Sequence, residues 1–370
     1  MRRPTLHLFC RIVDNYGDAG VCWRLARELV TEHGLDVVLF IDDVATLARI
    51  EPAIDPRRVA QRVAGVAVAP LDDGAPPGPL PRVVVEGFSC GLSPAYVAAM
   101  AAASTKPRWI NLEHLSAEPW IDGAHALPSP HPRLPLVRYF WFPGFTRRSG
   151  GLLRERDLFG RRDACQAQRA PAQDALRILL FTYDNAALPP LLAHWSSGSE
   201  RIRFDVPEGV AAASLERWLG ARLPPPGGSA GRGNVELRVL PFTGQDEFDA
   251  QLWSADVNFV RGEDSFVRAQ WAARPFVWHA YRQTDAAHMT KLEAFIARYV
   301  ADLRADAQRA VCTFWHAFNA EDVSTIASAW EGYRAALPLV APHAVTWANH
   351  LAADVPELAA SLVDFSSRPL

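Results

Sequence analysis

Runs of apolar residues near the start of the chain predict strands that alternate with helices. The run TLHLFCRIV, residues 5–13, is rich in β-forming side chains and predicts a first strand. Val21, Leu25 and Leu29 then recur at four-residue spacing, which predicts an amphipathic helix. The apolar run DVVLFIDD, residues 36–43, predicts a second, buried strand. This βαβ order favours a parallel sheet.

The same alternation continues along most of the chain. The segments that predict further strands are VAGVAVAP, RVVVEGF, RWINLEH, ALRILLFTY, RIRFDVP, VELRVLPF, DVNFVRG and PFVWHAY, and those that predict helices are AYVAAMAAAS, DEFDAQLWSA and SFVRAQWAA. Between about 128 and 172 the pattern is lost among Pro, Gly, aromatic and charged residues, so we expect the chain to cross between domains there. PPPGGSAGRGN, residues 224–234, predicts a surface loop.

A chain of 370 residues with this pattern predicts two domains of the α/β class. We expect an N-terminal Rossmann-like domain over residues 1–172 and a C-terminal Rossmann-like domain over residues 173–344. A C-terminal helix at about 345–370 is expected to pack back on the first domain. Two such domains in tandem predict a cleft between the carboxyl ends of their sheets.

Composition excludes several classes of protein. A net charge of -3 disfavours a nucleic-acid binder that works by neutralising phosphates. Five cysteines without a C-x-x-C pair suggest free thiols in a reducing compartment. Because no apolar run approaches the roughly 18 residues of a membrane span, we expect a cytoplasmic protein that binds neither membrane nor nucleic acid.

The segment DNYGDAG, residues 14–20, lies where the first predicted strand meets its helix. Its glycines, Gly17 among them, favour a close backbone approach, but its spacing is not that of a dinucleotide fingerprint. Asp14 and Asp18 would repel phosphates, so a phosphate site is disfavoured here. Asp18 alone is equally well explained as an acid that stabilises the helix N-terminus.

A second candidate site is VRGEDS, residues 260–265, where a later strand meets a helix. Backbone N–H groups at a helix start bind anions, and Ser265 could add a hydroxyl donor. Arg261 supplies a cation suited to phosphate. Glu263 and Asp264 would face ribose hydroxyls or a sugar, unless they are ordinary first-turn acids. This pattern predicts a diphosphate site in the cleft.

Aromatic and amide side chains follow two other strands. Phe242 could stack on a base while Gln245 reads its amide edge, although a core position is the commoner fate of a phenylalanine. Tyr183 follows the strand ALRILLFTY and is open to the same two interpretations.

GFSCG, residues 87–91, matches the G-x-S-x-G nucleophile elbow of α/β-hydrolases and offers Ser89 as an alternative nucleophile. Its helix should start directly after the serine, whereas Ser93 and Pro94 predict a later start. The chain has neither H-E-x-x-H nor D-x-D, so we expect no metal cofactor.

Several longer motifs together resemble one family. They are VDNYGDAGVCWRLARELV, LSAEPW, YFWFPGF, SGGLLRERD, PFTGQDEFD and VRGEDSFVRAQWAARPFVWH. The chain is similar over nearly its whole length to the EarP family, the protein-arginine rhamnosyltransferases of bacterial elongation factor P. The resemblance implies a GT-B glycosyltransferase fold, with two Rossmann-like domains facing each other across a cleft.

The resemblance also implies an activity. The family inverts the sugar of TDP-β-L-rhamnose as it transfers L-rhamnose to an arginine of elongation factor P, which rescues ribosomes stalled on polyproline, and it uses no metal. Asp18 resembles the catalytic carboxylate and Asp14 its supporting acid. The positions implied to bind the donor or support catalysis are Tyr183, Phe242, Gln245, Arg261, Glu263, Asp264 and Ser265, with Gly17 beside them. A different nucleotide-sugar transferase or epimerase, a serine hydrolase and a non-catalytic binding module remain alternatives.

Overall fold

The structure, a computed structural model, describes residues 6–13, 16–74, 78–168, 175–282 and 287–368. Its internal contacts divide the chain into two compact units. The first runs to Leu158 and resumes at Leu351, and the second is Phe159–His350. Each unit is built on one mainly parallel sheet with helices, so the predicted α/β class is confirmed.

The first unit contains, within its described residues, a sheet of eight strands. They are β1 Leu6–Cys10, β2 Val37–Ile41, β3 Gln61–Val63, β4 Val66–Pro70, β5 Val83–Gly87, β6 Arg108–Leu112, β7 Pro128–Pro130 and β8 Val137–Trp141. Their order is β3-β4-β2-β1-β5-β6-β8-β7, and only the edge pairs β3–β4 and β7–β8 are antiparallel. Every residue of β1, β5 and β6 is buried, as expected for central strands covered on both faces. The parallel strands place their carboxyl ends at one edge of the sheet.

The helices of the first unit in this part of the chain are α1 Tyr16–Thr31, α2 Val44–Ile50, α3 Pro94–Ala102 and α4 Ile121–Ala124. Val21, Leu25 and Leu29 of α1 are buried in the core with the inner residues of the sheet. The predicted helix stripe is therefore confirmed. Because α1 follows β1 directly, its N-terminus lies at the carboxyl edge of the sheet.

The second unit contains a sheet of six strands among the residues that the structure describes. These are β9 Leu176–Leu180, β10 Ile202–Pro207, β11 Ser229–Arg232, β12 Val235–Leu240, β13 Val257–Arg261 and β14 Phe276–His279, in the order β11-β12-β10-β9-β13-β14. The helices are α5 Leu158–Ala167, α6 Leu188–Ser197, α7 Ala212–Leu219, α8 Gln245–Ser254, α9 Asp264–Trp271, α10 Ala287–Tyr299, α11 Ala305–Asn319 and α12 Ile326–Asp354. Only β11 is antiparallel to its neighbour.

The contacts place the first unit boundary before residue 172, because α5 packs on the second unit. Arg162 donates to the carbonyl of Trp271 at 3.1 Å, and Gln166 donates to that of Ala272 at 3.0 Å. The chain returns within α12, which runs on past residue 344. A final helix, α13 Leu358–Ser367, contributes Leu358 and Leu362 to the core of the first unit.

Two segments that were expected to lack regular structure contain strands. Strands β7 and β8 lie within residues 128–172, and β8 pairs in parallel with β6. β8 has the sequence VRYFW, which is mostly apolar and aromatic but contains Arg138, and the prolines and glycine that flank it concealed the strand. The predicted loop at 224–234 contains β11, which pairs with β12 at the sheet edge.

The structure has no helix, within the ranges it describes, that is long and apolar enough to cross a membrane.

Candidate active site

Asp18 lies in the first turn of α1 and is 4% exposed. Its Oδ2 accepts a hydrogen bond of 2.8 Å from the backbone N–H of Val13, at the end of the loop that leaves β1. The carboxylate is therefore held at the carboxyl edge of the sheet. Gly17 is helical and half-buried in the same turn. Asp14 lies outside the described residues.

Packing beneath this turn ties α1 to the ends of β1 and β5. A Cβ placed on Gly87 would come within 2.8 Å of the carbonyl oxygen of Phe9 and 3.1 Å of Cys22 Sγ, so only glycine permits this approach. A hydrogen bond with Cys10, burial and the nearby charge of Asp18 raise the pKa of the Cys22 thiol well above its usual range. Cys22 therefore stays a neutral packing residue.

The acids that end β2 have structural partners. Asp43 caps α2, where its carboxylate accepts from the backbone N–H and the hydroxyl of Thr46 at 3.0 and 2.7 Å. Asp42 accepts from the backbone N–H of Ile12 at 3.0 Å. These bonds explain why both strand-end acids are present without a ligand.

Ser89 does not have the geometry of a nucleophile elbow. The following helix begins only at Pro94, with Ser93 as its cap. Ser89 Oγ accepts from the Asn111 amide at 2.9 Å and donates to Glu113 Oε1 at 3.3 Å. A serine bonded to a carboxylate and an amide lacks the histidine base that the hydrolase mechanism needs.

In the second unit, the turn between β13 and α9 brings together the predicted diphosphate-site residues. Gly262 has φ +60°, a left-handed conformation that favours glycine, and its carbonyl accepts from Trp278 Nε1 at 3.0 Å. Glu263 caps α9 without a side-chain cap bond, and Asp264 begins the helix. The first N–H groups of α9 therefore lie beside Arg261, as an anion site requires.

The Ser265 hydroxyl is used within this turn. Its oxygen accepts from the backbone N–H of Arg261 at 3.1 Å, and the hydroxyl donates to the carbonyl of Arg261. Ser265 is 5% exposed, so its main role in the structure is to close the turn. The expected extra hydroxyl donor is thus already engaged.

Arg261 lies over two aromatic rings at the carboxyl end of β9. Its guanidinium carbon is 4.9 Å from the ring centre of Phe181 and 4.6 Å from that of Tyr183. No hydrogen bond to this guanidinium occurs within the described ranges, so the rings orient the cation and leave its N–H groups for a ligand. The Tyr183 ring therefore supports Arg261 in addition to any role with a base.

His279 lies at the end of β14 and packs against Tyr183. Its ring contacts Tyr183 edge-on with centres 5.3 Å apart, and Tyr183 also meets the half-exposed Tyr281 at 5.6 Å. Burial and the nearby charge of Arg261 lower the pKa of His279 to about 3. A neutral imidazole avoids a second positive charge beside Arg261.

A buried ion pair fixes α8 against α9. Asp249 and Arg268 are 0% and 1% exposed and form two parallel hydrogen bonds of 3.0 and 2.6 Å. Removal of one partner from such a pair typically costs about 3–5 kcal/mol. The pair sets the relative position of Gln245, which begins α8, and Asp264, and the Gln245 amide reaches Asp264 Oδ2 at 3.4 Å.

The structure thus forms two groups from the residues predicted to act. Asp18 and Gly17 lie together in the first unit, and Asp14 lies outside the described residues. The second unit brings together Tyr183, Gln245, Arg261, Glu263, Asp264 and Ser265, with Phe242 half-buried two residues beyond β12. Among the described residues, no group of three or more His, Cys, Asp or Glu side chains could hold a metal ion.

Sequence reasoning did not place Phe181, His279 or the Asp249–Arg268 pair in this site. Phe181 was recognisable, because it lies two residues before Tyr183 and residues at that spacing in extended chain point to the same face. The contacts of the other three depend on which strands and helices become neighbours, which the local pattern does not reveal.

Comparison with known proteins identifies relatives that extend over nearly the whole chain. The family model described as Elongation-Factor P (EF-P) rhamnosyltransferase EarP matches residues 6–367. A protein-arginine rhamnosyltransferase of Pseudomonas putida is 44% identical over 98% of both chains. The one from Pseudomonas aeruginosa is 43% identical over 97% of both chains.

Solved structures agree with this fold. One that concerns EarP-mediated arginine glycosylation of translation elongation factor EF-P is 35% identical, covers 98% of this chain and 99% of that chain, and gives a TM-score of 0.69. MurG from Acinetobacter baumannii, at 13% identity, a TM-score of 0.50 and coverage of 98% and 99%, supports the fold alone. The fold is that of the GT-B glycosyltransferases. The chain belongs to the EarP family of glycosyltransferases, the protein-arginine rhamnosyltransferases.

Proposed function

We propose that this protein transfers L-rhamnose from TDP-β-L-rhamnose to one arginine side chain of elongation factor P, with inversion at the anomeric carbon and without a metal ion. Membership of the family over residues 6–367 supports the proposal most strongly. The modified factor would then act in translation at polyproline stalls.

Asp18 is the group we assign to the arginine. A guanidinium has a pKa above 12 and is a poor nucleophile while its charge is delocalised. A carboxylate aligned with it can orient the side chain, polarise the reacting nitrogen and accept its proton as the N–C bond forms. The carboxylate is suited to this task because the bond from Val13 fixes one oxygen at 2.8 Å. We assign Asp14 a supporting role on the same cation.

The second unit supplies the donor site in this proposal. Arg261 and the first amides of α9 stabilise the charge that develops on the departing diphosphate, which removes the need for a metal. Glu263 and Asp264 bind ribose or rhamnose hydroxyls, and Glu263 also supports catalysis. Phe242 and Gln245 contact the thymine base, and Tyr183 contacts the nucleotide while its ring orients Arg261.

The reaction is a single displacement. The arginine nitrogen forms a bond to the anomeric carbon as the bond from that carbon to the TDP oxygen breaks, and the nitrogen's proton passes to Asp18. Attack opposite the leaving group inverts the anomeric centre.

The proposal is tested by the intact mass of elongation factor P after incubation with the enzyme and separate TDP- and UDP-sugars. We expect an increase of one deoxyhexose with TDP-β-L-rhamnose only. An increase with another donor would refute the proposed specificity, and an unchanged mass with every donor would refute the transfer itself.

A further inference from the structure

We propose that Glu113 binds a positively charged side chain of the protein acceptor, beside the site of Asp18. The inference rests on the proposed function and adds to it a second contact that selects the acceptor. Glu113 follows β6 directly, and β6 is separated from β1 only by β5. Two strand spacings put the ends of β1 and β6 about 10 Å apart.

The carboxylate of Glu113 is held by one oxygen. Its Oε1 accepts from Ser89 Oγ at 3.3 Å and from the Asn111 amide. Its Oε2 has no hydrogen-bond partner within the residues that the structure describes, and the side chain is half-buried. A carboxylate fixed by two donors on one oxygen presents the other to a ligand at little cost in conformational entropy.

Asn111 provides independent support. It is fully buried, and its Nδ2 serves both Ser89 and Glu113. Its Oδ1 has no partner anywhere in the described chain. An unsatisfied buried carbonyl typically costs about 1–3 kcal/mol, and orientation of Glu113 is a function that would retain it.

The backbone around Ser89 is also held in one conformation, which fixes the position of the hydroxyl that binds Glu113. Phe88 and Ser89 have φ values of +55° and +54°, which are unfavourable for residues with a side chain. The buried carboxylate of Glu86 holds the turn by accepting from the Gly91 N–H at 2.8 Å. Gly87, at the end of β5, packs against Cys22 one turn beyond Asp18. The Glu113 network and Asp18 are therefore joined through Gly87.

The chemistry of the site selects an organic cation. In the part of the chain that the structure describes, no group of three or more His, Cys, Asp or Glu side chains could hold a metal ion, so Glu113 does not belong to a metal site. Phe88 and His114, the sequence neighbours of Ser89 and Glu113, stack with ring centres 4.6 Å apart. Carboxylate and aromatic groups together suit a guanidinium or an ammonium group with its apolar stem.

The test compares Glu113→Gln with the wild type in steady-state transfer to the acceptor protein. We expect KM for the acceptor to rise about tenfold, while the Kd for TDP and the melting temperature stay unchanged. Ser89→Ala should shift KM in the same direction by about threefold, since it removes one donor to Oε1. Asp43→Asn is the matched control, because it removes a carboxylate at the same sheet edge that serves only as a cap.

The source of the cation is found by measuring the Kd of the wild type and of Glu113→Gln for altered acceptors, because an acceptor without its reacting arginine cannot be assayed by transfer. If the reacting arginine is the ligand, its replacement by alanine removes the difference between the two enzymes. If a neighbouring lysine or arginine is the ligand, only replacement of that residue does so.

Three outcomes would overturn the inference. They are an acceptor KM for Glu113→Gln within twofold of the wild type, an equal effect of Asp43→Asn, and a parallel loss of TDP binding, which would indicate a structural role. Transfer by the wild type in those cases leaves the proposed function intact. An inactive wild type refutes the proposed function together with this inference.

Discussion

The backbone turn after β13 positions Arg261, and two aromatic rings orient its guanidinium. It ends β13, where the backbone turns through Gly262 into α9. The rings of Phe181 and Tyr183 orient its guanidinium without using its N–H groups. A planar cation is needed for both functions, because it stacks on rings and can pair with two phosphate oxygens.

We therefore expect Arg261→Lys to weaken TDP binding about tenfold or more, although the charge is kept. A lysine ammonium neither stacks as a plane nor binds phosphate bidentately. Calorimetric titration with TDP measures the change. Arg282→Lys is the control, since Arg282 is exposed and pairs with Glu321. Equal TDP affinity in Arg261→Lys and the wild type would contradict this role.

At this scale the sequence predicted which residues lie at strand ends, but not what each side chain touches. Arg261 and Asp18 were recognisable because each lies where a clear strand meets a helix. Glu113 was not, since its significance depends on Asn111 in β6 and on Ser89, which follows the neighbouring strand β5. Ser265 was assigned a donor role that the backbone of Arg261 already occupies.

At the scale of elements, α1 connects the Asp18 turn to the segments where the chain leaves and re-enters the first unit. Arg24 donates to Glu155 at 2.9 Å, just before α5. Glu28 is 1% exposed, and its neighbours include Glu357, the cap of α13, with Glu155 and Glu32 also close. Burial and these like charges raise the pKa of Glu28 well above its usual range.

This shift predicts a pH dependence of stability. A raised pKa means that Glu28 keeps its proton in the folded protein over a pH range in which the unfolded chain has lost it, so unfolding in that range releases a proton. Its favourable contribution is complete below its ordinary pKa and is lost as pH rises toward the raised value. We expect Glu28→Gln to remove up to about 1.4 kcal/mol per pH unit of this decline between pH 5 and 8.

Urea unfolding of the wild type and Glu28→Gln at several pH values measures the effect. The difference in the free energy of unfolding should grow in favour of the variant as pH rises. Glu51→Gln replaces a half-buried acid at the end of α2 whose charge is not among those that raise the pKa of Glu28, so it should follow the wild type. If all three proteins give parallel curves, Glu28 is ionised in the folded state and the interpretation fails.

Most strands and helices were predictable because the spacing at which apolar residues recur along the sequence differs between strands and helices. β8 was not, because prolines and a glycine flank a short strand that contains the charged Arg138. β11 was missed because a short edge strand of small residues carries no alternation signal. These errors lie at sheet edges or near the crossing and do not affect the strand ends that bear the site.

At the scale of the whole molecule, the two-unit organisation followed from length and from the restart of strand–helix alternation. The exact boundary did not, because it depends on side-chain contacts. α5 is polar and charged, so its sequence resembles that of a linker. In the structure, however, Arg162 and Gln166 of α5 donate hydrogen bonds to backbone carbonyls of the second unit. The proposed chemistry assigns the acceptor arginine to one unit and the donor diphosphate to the other.

The assignment of the acceptor arginine to Asp18, apart from the donor diphosphate, is tested most directly by Asp18→Asn. We expect intact-mass analysis to detect no deoxyhexose on elongation factor P with this variant and TDP-β-L-rhamnose, while the wild type modifies it fully under the same conditions. Calorimetry should give the same Kd for TDP for both enzymes, and their melting temperatures should agree. Transfer by Asp18→Asn at the wild-type rate would contradict the account.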